Sequence, residues 1–187
     1  GFERLREKGV RCNVLATLHA ANVSLGAELY RFFRDRDIAW LQFIPILERD
    51  EAGRPLPFSC PPDAYGRFLC GTFDAWHPGD VGRVSVRLFE SVLHSLVLGR
   101  ASLCTFARRC ADAHVLEWNG DLYACDHFVE RRWRLGNILE EPLEELRRGS
   151  LLREFAALKS DPPGACAACP WLELCRGGCP KHHDRLG

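Results

Sequence analysis

The sequence lacks methionine, net charge and any long apolar run. Its 25 Lys and Arg residues balance 25 Asp and Glu residues, so no overall field attracts nucleic acid or an anionic membrane. No apolar stretch approaches the roughly 20 residues that span a bilayer, and residues 1–8 are amphipathic rather than signal-like. These absences predict a cytoplasmic protein that binds neither nucleic acid nor membranes. Because the chain opens inside a predicted helix without an initiating methionine, we expect a fragment of a longer protein.

Cysteine is abundant, with ten residues in 187. The densest run reads Cys166-x2-Cys169-x5-Cys175-x3-Cys179, with a Gly-Gly pair before the last cysteine. Four thiolates held in one small volume suit an iron-sulfur cluster or a zinc ion. Disulfides or buried structural thiols are the alternative, but this spacing without a secretory segment favours metal.

The first half of the chain predicts an α/β fold. Residues 10–18 and 38–44 are apolar almost throughout, as in buried strands of a parallel sheet. Asn22 is a candidate N-cap for the helix between them, so the segment forms a βαβ unit. A proline-rich loop follows, then a helix opened by Pro62, a short strand and a helix over residues 88–98.

The second half is richer in cysteine and has shorter elements. Two short strands flank Asn119-Gly120, a pair that favours a β-hairpin with a type I′ turn. The hairpin lies between Cys110 and Cys125, with Cys104 upstream. Ser150 is a candidate cap for one of two helices after the hairpin. We therefore predict two domains, residues 1–100 and 101–187.

The cysteine pattern resembles that of the SPASM domain, the auxiliary iron-sulfur domain of radical S-adenosylmethionine enzymes that modify peptides. Further motifs resemble the anaerobic sulfatase-maturating enzymes within that group and run through nearly the whole chain: Gln42-Phe-Ile-Pro45, Tyr65-Gly-Arg-Phe-Leu69, Asp80-Val-Gly82, Asn119-Gly-Asp-Leu-Tyr-Ala-Cys-Asp-His-Phe-Val129 and Arg134-Leu-Gly-Asn-Ile138. The resemblance implies the C-terminal part of a partial (β/α) barrel followed by a SPASM domain that is truncated at its end.

The resemblance also implies two auxiliary [4Fe-4S] clusters. The residues that match the ligands of the first cluster are Cys104, Cys110, Cys125 and Cys179. Those that match ligands of the second are Cys166, Cys169 and Cys175. The eighth ligand is expected beyond Gly187, unless His182, His183 or Asp184 takes its place.

The family's Cys-x3-Cys-x2-Cys motif, which binds the cluster that cleaves S-adenosylmethionine, does not occur in this sequence. We expect it before Gly1, so this segment alone should be inactive. The resemblance implies that the complete enzyme oxidises a Cys or Ser of a sulfatase polypeptide to formylglycine, with flavodoxin or ferredoxin as electron donor.

Two residues match functional positions of the family. Asp126 matches the aspartate that accepts the substrate proton, and the negative charge of neighbouring cluster thiolates should increase its basicity. Its alternative role is structural, through the hairpin or an ion pair with Arg131 or Arg132. Ile44 matches a position that contacts S-adenosylmethionine, although a lone apolar residue is more often part of a core.

Other interpretations remain open at this stage. The same fold could serve a SPASM enzyme that forms thioether or carbon-carbon crosslinks in peptides, or the cysteines could hold zinc in a binding module without redox chemistry. Cys12 and Cys70 are expected to be buried structural thiols, whereas Cys60 lies in the proline-rich loop and could be exposed.

Overall fold

Two units make up the chain, Gly1–Glu90 and Ser91–Gly187. The structure, a computed structural model, describes residues 1–110 and 113–183. Helices and strands occur in both units, as the predicted mixed α/β class requires. None of the described helices is both long and apolar enough to cross a membrane. The domain boundary after residue 100 stays a prediction.

A three-stranded parallel sheet with its helices forms the first unit. Its elements in chain order are α1 (Phe2–Glu7), β1 (Val14–Leu18), a 3-10 helix (Val23–Leu25), α2 (Gly26–Arg34), β2 (Trp40–Pro45), α3 (Pro62–Trp76) and β3 (Ser85–Val86). Helix α4 (Arg87–Leu98) begins in this unit and continues into the second. The sheet order is β1-β2-β3, and β1 and β2 flank α2, which confirms the predicted βαβ unit.

Strand β1 is shorter than predicted and is not buried throughout. It begins at Val14 rather than at residue 10, and its side chains alternate in burial up to the fully buried Leu18. Leu15 is 55% exposed. The apolar sequence predicted a strand that is buried on both faces, but β1 buries chiefly one face.

Asn22 does not cap the following helix through its side chain. Its Oδ1 accepts a hydrogen bond from the main-chain N–H of His19 at 2.8 Å, and its Nδ2 donates to the carbonyl of Thr17 at 2.9 Å. The predicted N-cap is wrong because the amide closes the turn after β1 instead.

Aromatic residues from α3 anchor the core of the first unit. Phe68 and Trp76 are 2% and 1% exposed, and Phe68 packs edge-on against Phe43 of β2 at 5.0 Å between ring centroids. The indole N–H of Trp76 donates to the carbonyl of Val84 at 2.7 Å, so this buried donor is satisfied.

The second unit contains an antiparallel sheet and short helices. Its strands are β4 (Val115–Leu116), β5 (Asp121–Tyr123) and β6 (Arg134–Asn137), in the order β4-β5-β6. Its further α-helices are α5 (Leu143–Arg148), α6 (Ser150–Ala156), α7 (Gly164–Ala167) and α8 (Leu172–Cys175). Its 3-10 helices are Cys104–Phe106, Asp126–Phe128, Arg131–Trp133, Ala157–Lys159 and Pro180–His182.

The β4-β5 hairpin is confirmed, but its turn is not type I′. A type I′ turn needs a positive φ at both Asn119 and Gly120, and only Gly120 has one, at 89°. Instead, the N–H of Gly120 donates to the carbonyl of Glu117, and the N–H of Glu117 donates to the carbonyl of Asp121. This pattern is a three-residue loop in which glycine occupies the left-handed position.

Close packing on the hairpin turn also requires glycine. A Cβ atom on Gly120 would lie 2.6 Å from Oδ1 of Asn137. Asn137 in turn donates from Nδ2 to the carbonyl of Asn119 and to Oδ1 of Asp121, both at 3.0 Å. Asn137 thereby fastens the hairpin to β6, a strand that the sequence analysis did not predict.

Helix α6 begins at Ser150 itself. Gly149 occupies the N-cap position, and no side-chain capping bond is formed there, so the predicted cap at Ser150 is wrong. The helix presents Leu152 and Phe155 to a small core, in which Phe155 packs edge-on against Phe128 and Trp133. This core supports the cysteines described below.

Candidate metal centre

Three predicted ligands flank the hairpin of the second unit. Cys104 begins a 3-10 helix and is exposed, whereas Cys110 and Cys125 are partly buried and pack against the core around Phe155. Cys125 directly follows the buried Ala124, whose N–H donates to the carbonyl of Trp133. The sheet and the small core therefore fix the main chain at Cys125.

A left-handed turn joins Cys175 to Cys179. The three residues between them, Arg176, Gly177 and Gly178, have φ values of 55°, 76° and 74°. Two glycines adopt this conformation without the steric cost that a side chain imposes. The Gly-Gly pair thus returns the chain sharply after α8 and brings Cys179 back towards the hairpin cysteines.

His183 fastens this turn. The side chain is 8% exposed, and its Nε2 lies 2.7 Å from the carbonyl oxygen of Gly177. His182 lies in the preceding 3-10 helix, and Asp184 lies outside the described residues. A structural contact therefore already engages His183, one of the three candidates for the missing eighth ligand.

Cys166 and Cys169 lie at the short helix α7. The N–H of Cys169 donates to the carbonyl of Cys166 at 3.0 Å, and the N–H of Cys166 donates to the carbonyl of Pro163 at 2.7 Å. Both side chains are partly buried. This tight turn is the local consequence of the two-residue spacing between the cysteines.

Cys179 interacts electrostatically with two of the cysteines that flank the hairpin, Cys104 and Cys125. Burial raises the pKa of the Cys179 thiol, and the neighbouring Cys104 adds to the effect. Burial likewise raises the pKa of Cys125 to about 12, with further contributions from Asp126 and Cys179. Cys179 therefore lies close enough to Cys104 and to Cys125 for their charges to interact.

The donor set fits an iron-sulfur cluster chemically. All seven predicted ligands are free thiols, and six of them are only partly buried. Crowded thiolates repel one another, and bound iron compensates their negative charge. In the described ranges, no three His, Cys, Asp or Glu side chains form a ready-made site for a metal ion.

Asp126 follows Cys125 directly in the chain and is exposed. Its Oδ1 accepts a hydrogen bond from the Cys125 thiol at 3.2 Å, and its charge also acts on Cys179. Within residues 1–110 and 113–183 it forms no ion pair with Arg131 or Arg132; Arg132 instead pairs with Glu154 at 3.4 Å. Asp126 is therefore placed where it could reach a molecule approaching the cysteines.

Ile44 lies near the carboxyl end of β2. It is partly buried and is paired with Thr17 in the parallel ladder. Its place near the end of a parallel strand is one at which α/β folds bind ligands.

All three isolated cysteines differ from expectation. Cys70, predicted to be buried, is exposed on α3, because it lies on the face of that helix opposite Phe68 and Thr72. Cys60, which the loop sequence suggested could be exposed, is only 7% exposed and belongs to the core of the first unit. Cys12 precedes β1 and is partly buried.

Lys159 is a residue that the sequence analysis missed. It is only 6% exposed, and its Nζ donates to the carbonyls of Cys104 and Thr105 at 3.2 and 2.8 Å. The sequence could have indicated its burial, because Lys159 follows Leu152, Phe155 and Ala156 at the spacing of one helix face. A lysine on an otherwise buried face is uncommon and indicates a specific partner.

Comparison with known proteins matches residues 104–170 to SPASM, described as an iron-sulfur cluster-binding domain. The chain is 35% identical to a serine-type anaerobic sulfatase-maturating enzyme of Bacteroides thetaiotaomicron, covering 97% of this chain and 48% of that protein. It is 32% identical to a cysteine-type anaerobic sulfatase-maturating enzyme of Clostridium perfringens, covering 97% of this chain and 50% of that protein.

A solved structure of native anSMEcpe with bound AdoMet and the Cp18Cys peptide has the same fold over 98% of this chain. The TM-score is 0.87 and the identity 31%, and the match covers 52% of that structure. The chain thus spans about half the length of the relatives it matches. The fold and the resemblance predicted from the sequence are confirmed: residues 104–170 match the SPASM domain, and nearly the whole chain is similar to the C-terminal half of the anaerobic sulfatase-maturating enzymes.

Proposed function

We propose that this chain is the auxiliary-cluster half of a radical S-adenosylmethionine enzyme that oxidises a Cys or Ser of a sulfatase to formylglycine. The observation that carries the proposal is the match, over nearly the whole chain, to an enzyme structure that holds both AdoMet and a peptide. Matches to serine-type and cysteine-type relatives support the reaction class and leave the target residue open.

Two auxiliary clusters would occupy the second unit. Cys104, Cys110, Cys125 and Cys179 are the proposed ligands of the first cluster. Cys166, Cys169 and Cys175 are those of the second. The electrostatic contacts of Cys179 with Cys104 and Cys125 support its assignment to the first cluster, across the sequence gap.

When bound, the radical S-adenosylmethionine centre would supply the hydrogen-abstracting radical, and the auxiliary clusters would accept an electron. What this chain contributes is a base. Loss of a hydrogen atom, a proton and an electron from the Cβ and heteroatom of the target residue gives the aldehyde from Ser or a thioaldehyde from Cys, and water hydrolyses the thioaldehyde to the aldehyde with release of hydrogen sulfide. Asp126 is exposed beside Cys125 and is our candidate acceptor of that proton, and Ile44 our candidate contact for S-adenosylmethionine.

The first test is the content of iron, acid-labile sulfide and zinc after anaerobic reconstitution. We expect about eight iron and eight sulfide per 187-residue chain, the content of two four-iron clusters. About four iron would mean that the second site needs a ligand from outside this segment. One or two zinc ions without sulfide would overturn the proposal in favour of a zinc-stapled binding module.

The second test uses the complete polypeptide with sulfatase-derived Cys and Ser peptides and reduced flavodoxin or ferredoxin. Formylglycine, identified by mass spectrometry and by reaction of its aldehyde with a hydrazide, would support the proposed reaction. A thioether or carbon-carbon crosslink in the peptide would instead assign the chain to another branch of the peptide-modifying SPASM enzymes.

A further inference from the structure

A buried lysine lies among the cysteines of the second unit. Lys159 ends the 3-10 helix Ala157–Lys159, and its ammonium group donates to the main-chain carbonyls of Cys104 and Thr105. The two carbonyls belong to the 3-10 helix Cys104–Phe106. The side chain therefore reaches from one element of the second unit to the one that presents Cys104.

Lys159 donates hydrogen bonds to neutral groups in the part of the chain that the structure describes. The carbonyls of Cys104 and Thr105 carry no charge that would balance its ammonium group. A buried ammonium is costly unless hydrogen bonds and a counter-charge compensate it. The partner that supplies this counter-charge must be found among its remaining neighbours.

Those neighbours are cysteines. Burial lowers the pKa of Lys159, whereas four nearby thiols act in the opposite direction and favour its charged form, namely Cys110, Cys104, Cys179 and Cys175. Three of these are proposed ligands of the first auxiliary cluster, and Cys175 is a proposed ligand of the second. As thiolates they would give the ammonium its missing negative partners.

We infer that Lys159 tunes the reduction potential of the first auxiliary cluster, an inference that rests on the proposed function of this unit. One-electron reduction adds a negative charge to the cluster and its thiolates. A fixed cation nearby stabilises the reduced form more than the oxidised form and so raises the potential. Lys159 is thus a positioning and charge-setting residue rather than a catalytic one.

The test is a redox titration of the reconstituted protein with dithionite as electron donor, followed by electron paramagnetic resonance. Lys159→Met removes the charge and keeps much of the length of the side chain, whereas Lys159→Arg keeps the charge. Lys8→Met removes an exposed lysine of the first unit and controls for net charge. Iron and sulfide content is measured for every variant, and circular dichroism reports folding.

We expect one cluster signal to titrate at a more negative potential in Lys159→Met. At the wild-type midpoint, the ratio of reduced to oxidised cluster should fall about tenfold, which corresponds to about 59 mV for one electron. Lys159→Arg and Lys8→Met should keep the wild-type midpoint. An unchanged midpoint in a fully loaded Lys159→Met protein would overturn the inference.

Cluster assembly gives a second readout if the substitution weakens the site. Loss of iron from Lys159→Met with full iron in Lys159→Arg would support a requirement for the charge. Loss of iron from both Lys159→Met and Lys159→Arg would overturn the inference, because a positive charge at this position would then not suffice for cluster assembly. Wild-type protein that takes up no iron and sulfide would refute the proposed function itself, which is a distinct result.

Discussion

At the scale of single residues, Asp126 carries the clearest chemical prediction. In the complete enzyme, Asp126→Asn should lower formylglycine formation by at least about 100-fold, because the amide cannot accept the substrate proton. Iron and sulfide content should stay near wild type, since the carboxylate is exposed and its hydrogen bond in the described part of the chain comes from Cys125, whose thiol remains in the variant. Peptide turnover and metal analysis on the same preparations measure both effects.

Asp74→Asn is the matched control for that substitution. Asp74 is exposed on α3 in the first unit and belongs to none of the proposed sites. Its variant should turn over peptide at the wild-type rate. Normal turnover by Asp126→Asn would remove the role of base that we assign to Asp126.

Asp121 predicts how stability depends on pH. Its hydrogen bond from Arg134 at 2.5 Å, helped by Asn137 and Asn119, lowers its pKa from 3.8 to about 2. Because the folded pKa is depressed, the carboxylate stabilises the fold fully above about pH 4 and loses this effect as the pH falls towards 2. The stability difference between wild type and Asp121→Asn should therefore be constant from pH 5 to 8 and shrink only below pH 4.

Urea denaturation of both proteins across this pH range measures the difference. Iron-sulfur centres are lost from both proteins under acid conditions, so metal-free samples should be compared throughout, after circular dichroism has verified that both proteins stay folded at pH 7 without iron. A difference that already narrows between pH 7 and 5 would contradict the Asp121–Arg134 contact as the cause.

At the scale of structural elements, the turn from Cys175 to Cys179 depends on glycine. Gly177 has a φ of 76°, and a Cβ atom there would lie 3.1 Å from Cβ of Pro162. Gly177→Ala should reduce stability by roughly 1–3 kcal/mol through the strained backbone and lower the iron content, because it displaces Cys179. Chemical denaturation and iron analysis provide the two readouts.

Gly164→Ala is the control within the same unit. Gly164 begins α7 without a positive φ, and among the described residues no heavy atom outside its own stretch of chain lies within 4 Å of the place that a Cβ atom would occupy, so alanine should be tolerated there. Equal losses in both variants would mean that any side chain near the cysteine run is harmful, and would not support a special turn at Gly177.

Local signals predicted the existence of elements better than their details. The apolar runs around Leu18 and Phe43 and the helix opened by Pro62 were identified, and so was the hairpin. Side-chain roles at turns were not, because Asn22 closes a turn rather than capping a helix, and Asn119 keeps a negative φ. Such choices depend on partners that are distant in sequence, as Asn137 is from Gly120.

For the candidate site too, local features were predicted from the sequence, whereas a contact between distant residues was not. The cysteine spacing and the family motifs predicted the ligands that we propose, since both are local features of the sequence. Lys159 was not identified, because its carbonyl partners Cys104 and Thr105 lie more than fifty positions earlier in the chain. Only the fold places Lys159 beside Cys104.

At the scale of the whole molecule, the two units have unequal cores. Among the described residues, twelve buried residues form the core cluster of the first unit, whereas five form that of the second. A small core buries little apolar surface, and units of this kind depend on metals or disulfides for stability. All seven predicted ligands in the second unit are free thiols, so bound clusters are the expected source of additional stability.

Cluster removal should therefore loosen the second unit selectively. Hydrogen exchange followed by mass spectrometry, on reconstituted protein and on protein stripped of iron by an oxidant and a chelator, measures protection along the chain. Amides of β5, β6 and α6 should exchange faster after stripping, because metal binding and folding are coupled in such units. Amides of β1 and β2 should keep their protection, since their own core holds them. Equal loss in both units, or no loss in the second, would contradict a stabilising role of the clusters in the cysteine-rich unit.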